Sequence, residues 1–320
     1  PNIMKKIIVS CTAFLIGFSS FSQVTLSNAE DANEFLQAYL SPLGESLGAG
    51  LNNGWYNTAK PHKLGGFDLT FTLNTVLVPK GKQNFNPDKI NNFSSEDATT
   101  PTILGKGEGA TITYNGFEFN MPEQGSALNV LPVPMIGIGI GLIKKSEIDI
   151  RYVPTYKYNA GFVGKGSIGL WGVGFKHDIL QWIPLVGDAF PMSLSLQAGH
   201  TSLNTDIEIK SQGVAQEVEL AVKATTINLI ASRKLLMFTG YAGIGYNNST
   251  TSFDGKTSFK LGAGSQVLDF NVPLEMKFDS QNEFRANIGF RFNITVFAIQ
   301  ANYTFSEHPT ATLGVGVSIR

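Results

Sequence analysis

Cysteine is almost absent: the only one, Cys11, sits in an apolar run near the start of the chain. If that run leaves on export, the remaining chain has no disulfide, no thiolate nucleophile and no cysteine metal site. Charge is scarce, with 15% Asp, Glu, Lys and Arg against about 25% in soluble proteins. No stretch reaches the roughly 20 apolar residues of a spanning helix, which excludes a helical membrane protein. The net charge of −1 offers no basic surface for nucleic acid.

Catalytic and cofactor signatures are missing too. His62, His177, His200 and His308 are scattered and form no HExxH zinc pattern. No G-x-S-x-G nucleophile elbow occurs. Gly255-Lys256-Thr257 resembles the end of a phosphate loop, but Thr250 stands where the earlier glycine is required. Gly137, Gly139 and Gly141 lack the spacing of a dinucleotide fingerprint. No cofactor, metal or enzymatic activity is expected.

What remains reads as an exported β-barrel. Met4, Lys5 and Lys6 open a basic start, Ile7 to Phe18 form the apolar run, and small residues follow at Ser20 and Ser22. This pattern predicts a signal peptide over residues 1–22, cleaved before Gln23, with Pro1–Ile3 an artefact of the start. Ile8-Val9-Ser10-Cys11 resembles a lipoprotein box, but cleavage there would leave only about four apolar residues, below the usual range. Glycine (34) and phenylalanine (23) are abundant, and the mean hydropathy of +0.03 fits alternating strands.

Residues 23–63 predict a helical segment. Ala32, Phe35, Leu36, Tyr39, Leu40, Leu43 and Leu47 repeat at helical spacing. Ser27 with Glu30 makes a capping box. Pro42 is expected to kink or end the helix, and Gly44, Gly48, Gly50 and Gly54 to loosen the chain. Phe35, Leu36, Tyr39, Leu40 and Leu43 would form either a helix packed on a core or a plug, inside a barrel lumen or across its periplasmic mouth.

From residue 64 to 320 the period is two. Phe67, Leu69, Phe71 and Leu73 alternate with Asp68, Thr70, Thr72 and Asn74. Ten strands are predicted, near 67–78, 134–143, 146–156, 166–177, 191–209, 216–232, 235–246, 283–294, 296–305 and 311–320. Strand-like runs at Ala110–Phe119 and Val267–Phe278 would raise the total to twelve or fourteen. Links after even strands are mostly tight, as at Lys144-Lys145 and Arg233-Lys234, with 178–190 longer, whereas the two long links, 79–133 and 247–282, follow odd strands. Asp178–Phe190 reads as a short helix at the periplasmic edge. Short turns on one side and long loops on the other describe an outer-membrane, antiparallel up-and-down barrel, and an even count puts both chain ends in the periplasm. Strands of about 9–12 residues suit a tilted bilayer crossing.

Alternation turns Asp68, Glu147, Asp149, Arg151, Glu283, Arg285 and Arg291 toward the lumen. Charges of mixed sign in a confined interior call for salt-bridge networks, which would either fill the lumen and hold the helix or form a constriction that tunes solute passage.

The segments Tyr39-Leu40-Ser41-Pro42-Leu43-Gly44, Leu51-Asn52-Asn53-Gly54-Trp55-Tyr56-Asn57-Thr58-Ala59 and Gly172-Val173-Gly174-Phe175-Lys176-His177-Asp178-Ile179 resemble an uncharacterised family of Bacteroidota outer-membrane barrels. In layout, a helical N-terminus feeding the first strand is similar to the long-chain fatty-acid transporter barrels. The resemblance implies location and fold. Three readings follow: passive uptake of a small or hydrophobic solute through a plugged barrel, a non-transporting scaffold presenting loops, or a soluble lipid-binding sandwich. The implied partners are outer-membrane lipid and a small hydrophobic ligand; no oligomeric state is read from the sequence.

Overall fold

The computed structural model describes residues 23–26, 29–121, 129–160, 164–183, 191–211, 214–255, 259–261, 267–270 and 274–319. The expected signal peptide, Cys11, the Ser27 cap and the end of the 178–190 link lie outside the described residues. Among the described residues no helix is long and apolar enough to cross a membrane. The protein is mostly β, with one N-terminal helix, α1 (Ala29–Asn52).

Ten antiparallel strands close into a barrel: β1 (Phe67–Leu77), β2 (Val130–Leu142), β3 (Ser146–Ala160), β4 (Gly164–Asp178), β5 (Ser193–Ser211), β6 (Val214–Leu235), β7 (Phe238–Gly255), β8 (Leu274–Ile294), β9 (Phe297–Phe305) and β10 (Thr310–Ile319). Closure is made by β1, which pairs Phe67 with Ile140 of β2 and with Ile319 of β10. The lipid-binding sandwich is thereby excluded. The two additional strand-like runs do not enlarge the barrel. Thr111–Tyr114 and Phe117–Asn120 form a small hairpin in the 78–129 loop, and Val267–Phe270 pairs outside the barrel with Phe259–Leu261 and Gln23–Leu26. Residues 274–278 extend β8.

The wall is lopsided. Strands β5 to β8 run 18 to 22 residues, whereas β1, β9 and β10 run 9 to 11. Two tiers of opposite polarity result, and β6 shows both. In its lower part, near the tight turns, Ile227 and Leu229 face outward and are exposed, while Thr226, Asn228 and Ser232 face inward and are buried. In its upper part the faces exchange character: Lys223 and Thr225 point out, and Leu220, Val222 and Ala224 are buried inside. The lower outer face continues around the barrel through Leu69, Phe71, Ile138, Ile150, Val173, Leu196, Ile244, Ile288, Ile299 and Val315, all exposed. Such a contiguous apolar belt belongs against lipid. The upper tier is built like a water-soluble protein, apolar inside and polar outside.

Helix α1 fills the upper tier. Phe35, Leu36, Tyr39, Leu40 and Leu43 are buried among Leu170 of β4, Leu203, Leu220, Val222, Phe253 and Met276 of the tall wall and Phe93, Ile112 and Phe119 of the 78–129 loop. Phe35 stacks on Phe93 at 4.5 Å. Burying a side chain of this size contributes about 1.5–3 kcal/mol. The packing also explains why the helix does not stop at Pro42, which costs about 3 kcal/mol in a helix interior but is offset by apolar burial on both sides of it. The helical glycines serve close approach: a Cβ on Gly44 would lie 2.6 Å from Thr251 Oγ1, and one on Gly50 2.5 Å from Val133 Cγ2.

Two further expectations are corrected. Arg233 and Lys234 stay in the ladder opposite Gly240 and Thr239, and the turn falls at Leu236 and Met237; the charges mark where β6 leaves the apolar belt. The first described residues do not lie at the tight-turn end. Asp31 accepts from Tyr114 Oη and Asn92 Nδ2 in the 78–129 loop, and Gln23–Leu26 pairs in parallel with Val267–Phe270. Helix α1 therefore descends from the long-loop side, and residues 53–66 carry the chain down to β1. In the 178–190 link the described helical part is a single turn, Leu180–Trp182.

Candidate functional site

The helix ends over the lower tier, where its last carbonyls have no partner within the helix. No basic residue occupies its last turn; the wall supplies two. Arg151 donates to Leu51 O at 2.7 Å and to Asn53 O at 2.6 Å. Arg285 donates to Asn52 O at 2.7 Å and to Asn53 Oδ1 at 2.7 Å. Both cations also sit at the negative end of the helix dipole. Asn74 Nδ2 adds a bond to Gly50 O at 2.8 Å. Gly54, at φ +74°, then turns the chain out of the helix, the left-handed exit that glycine adopts freely.

Below this collar the connecting segment is fitted to the wall. The Trp55 indole lies on a floor of glycines: a Cβ on Gly199 would lie 2.4 Å from its ring, and one on Gly174 2.8 Å. The Arg151 guanidinium covers the indole, 3.6 Å from its centroid. Tyr56 Oη donates to Asn287 Oδ1 at 2.9 Å, and Asn57 Oδ1 accepts from Arg291. His62 donates its backbone N–H to Glu147 Oε2 at 2.7 Å, and its Nδ1 lies 2.7 Å from the same oxygen. Lys176 holds the other oxygen of Glu147 at 2.6 Å.

Six of the seven lumen candidates therefore lie around this segment. Asp68, Glu147 and Asp149 converge over Gly139, whose missing side chain leaves them room: a Cβ there would lie 2.8 to 3.2 Å from an oxygen of each. Asp68 also faces Arg291 NH1 at 3.8 Å and His62 Nε2 at 3.6 Å. Arg151, Arg285 and Arg291 bind the plug. The seventh, Glu283, stands apart at the upper rim and accepts from the Glu307 amide at 2.6 Å. The space left beside Trp55, Asp68, Glu147 and Arg151 is about 40 Å³, room for a few waters and too small for a solute. Among the described residues no group of His, Cys, Asp and Glu is placed to hold a metal ion.

Sequence reasoning did not single out Lys176, His62 or the stretch from Asn53 to Asn57 as site residues. Lys176 was within reach, since it shares the alternating inward face of Gly172 and Gly174. His62 and Asn53 act from an irregular segment, for which periodicity carries no signal.

A second clamp holds the upper tier. Glu45 of α1 meets Lys82 Nζ at 3.0 Å and His308 Nε2 at 3.2 Å, and Lys82 also meets Glu307 at 3.3 Å. Burial alone would push the Glu45 carboxyl up, but hydrogen bonds and charge from His308 and Lys82 together hold it below its ordinary value. Burial works against the Lys82 ammonium, yet Glu45 and Glu307 raise it above its ordinary value. In the loop, burial and then the hydrogen bond and charge of Asp31 push the Tyr114 hydroxyl up to about 12.

Fold and site together define a closed ten-stranded barrel occluded by its own N-terminal helix and the coil that follows it. The chain belongs to DUF6588, a family of unknown function, which matches residues 4–319. No curated protein matches the sequence. Among solved structures, it is similar to the translocator domain of the autotransporter NalP from Neisseria meningitidis, with 10% identity over 92% of this chain and 100% of that one and a TM-score of 0.31. It is also similar to the outer membrane protease OmpT from Escherichia coli, with 8% identity over 84% and 100% and a TM-score of 0.36. The toluene transporter TbuX of Ralstonia pickettii gives 7% identity over 84% and 94% and a TM-score of 0.28.

Proposed function

We propose that this protein is an outer-membrane barrel whose lumen is closed by its own chain and whose helix and 78–129 loop form a fixed cap presented on the long-loop side. It acts as a scaffold for a partner there. The observation that carries this reading is the shared core of the upper tier, in which helix, loop and tall wall bury one another's apolar side chains. A segment meant to leave its barrel would expose that core each time. The basic and apolar start over residues 4–22 supports export.

A second reading, passive uptake of a small or hydrophobic solute, is favoured by one observation. At bilayer level the obstruction is a coil held by hydrogen bonds from Arg151, Arg285 and Arg291, with a small aromatic cluster at Trp55, Tyr56 and Tyr241. Conductance in planar bilayers separates the two. The full chain should stay silent at all holding potentials, and a chain lacking residues 24–60 should give discrete steps. Repeated opening of the full chain would defeat the scaffold reading in favour of uptake.

A further inference from the structure

At the tight-turn mouth lies a cleft of about 570 Å³ that the occluded-lumen reading does not use. Its lining combines two chemistries. Among the described lining residues, Lys63, Lys144 and Lys145 supply three ammonium groups beside one carboxylate, Asp178, and that carboxylate already accepts from Leu180 N at 2.9 Å. Among the described residues, Lys63, Lys144 and Lys145 are paired with no carboxylate. The remaining lining includes apolar Leu64, Ile143 and Met192, which are 72%, 66% and 38% exposed.

The backbone adds an independent sign. In the turn after β2, Lys144 and Lys145 both have positive φ, 53° and 48°, a region that glycine and asparagine tolerate and lysine does not favour. The other two tight turns at this end hold one such residue each, Leu236 and Thr295. Strain kept at a pair of charged residues beside a cleft points to a use for their charge.

We propose that this cleft binds the phosphate head of an anionic phospholipid from the adjoining leaflet. The lysines meet the phosphate, and the acyl chains run from Leu142 and Ile143 onto the outward faces of Ile140 and Ile138. A small soluble anion would leave Leu64, Ile143 and Met192 in water, whereas an amphiphile covers them. Continuity of the cleft with the lipid-facing belt selects the lipid.

The test uses full-length protein in detergent and native mass spectrometry, with phosphatidylglycerol and phosphatidylcholine offered in equal amounts. Phosphatidylglycerol should be retained preferentially. In the variant Lys63→Gln/Lys144→Asn/Lys145→Gly that preference should fall by at least about tenfold, since each lysine near an anionic surface is worth about fivefold. Asn and Gly relieve the turn, so the variant should keep its heat-modifiable gel shift, and loss of binding will not reflect unfolding. Equal retention of the two lipids, or a preference unchanged in the variant, would overturn the proposal. Displacement of the lipid by inorganic phosphate at matched ionic strength would reassign the cleft to a soluble anion and equally overturn it. Neither result bears on whether the lumen conducts.

Discussion

The two tiers of this barrel follow opposite rules with the same strands. On β6, the inward face reads Leu220, Val222 and Ala224 above and Thr226, Asn228 and Ser232 below, while the outward face changes from Lys223 and Thr225 to Ile227 and Leu229. The period stays at two throughout, and what exchanges is the solvent. Where water surrounds the wall, apolar side chains go inside with the helix. Where lipid surrounds it, they go outside, and the interior has to be filled by hydrogen-bonded polar groups, because unpaired charge in a confined space is costly. The plug obeys the same division, being an apolar helix in the upper tier and a mainly hydrogen-bonded coil in the lower.

That contrast can be broken from either side. The largest effect is expected above. Phe35→Ala deletes a side chain with no exposed surface, packed on Phe93 and Phe119, and should lower stability by about 3–5 kcal/mol, read as a shift in urea unfolding in detergent. The helix should loosen while the lower barrel keeps its gel shift. Next comes Arg285→Met in the lower tier. It leaves Asn52 O and Asn53 Oδ1 without their guanidinium and should cost about 2–3 kcal/mol, with the helix end becoming protease-sensitive. If Arg285→Met were neutral, the lower tier would not depend on polar satisfaction.

The smallest effect is in pH. Glu45 has a lowered pKa when folded, so its contribution is present above its unfolded value and is lost as pH falls through the folded one. Lys82 has a raised pKa, so its contribution is present below its unfolded value and is lost as pH rises through the folded one. The clamp should therefore hold best between roughly pH 5 and 10. Glu45→Gln should flatten the acid side of the stability profile; an unchanged acid slope would show that the clamp does not couple helix to loop.

Much of this architecture is legible in the sequence because alternation reports on each strand alone. The ten strands of the barrel appear in order, and the inward faces carrying Asp68, Glu147, Asp149, Arg151, Arg285 and Arg291 follow from parity. Alternation cannot say which environment each face meets, so the exchange near Thr225 leaves no trace in the period. The helix pattern from Ala32 to Leu47 is equally plain, but Pro42 and the glycines mislead when judged by local propensity alone. Gly44 and Gly50 instead let the helix approach Thr251 and Val133, far along the chain. The helix direction and the collar of Arg151 and Arg285 were illegible for the same reason: they join side chains to backbone carbonyls about 100 and 233 residues away, and no local pattern encodes that.

The boundary between tiers can be measured directly with single arginines on the outward face of β6, at Ala221, Thr225, Ile227 and Leu229, each scored by unfolding free energy in lipid vesicles. Arginine at Ile227 and Leu229 should cost about 2–4 kcal/mol, and at Ala221 and Thr225 about 0–1 kcal/mol. A uniform penalty along the strand, or a larger one at Ala221 than at Leu229, would contradict the two-tier account.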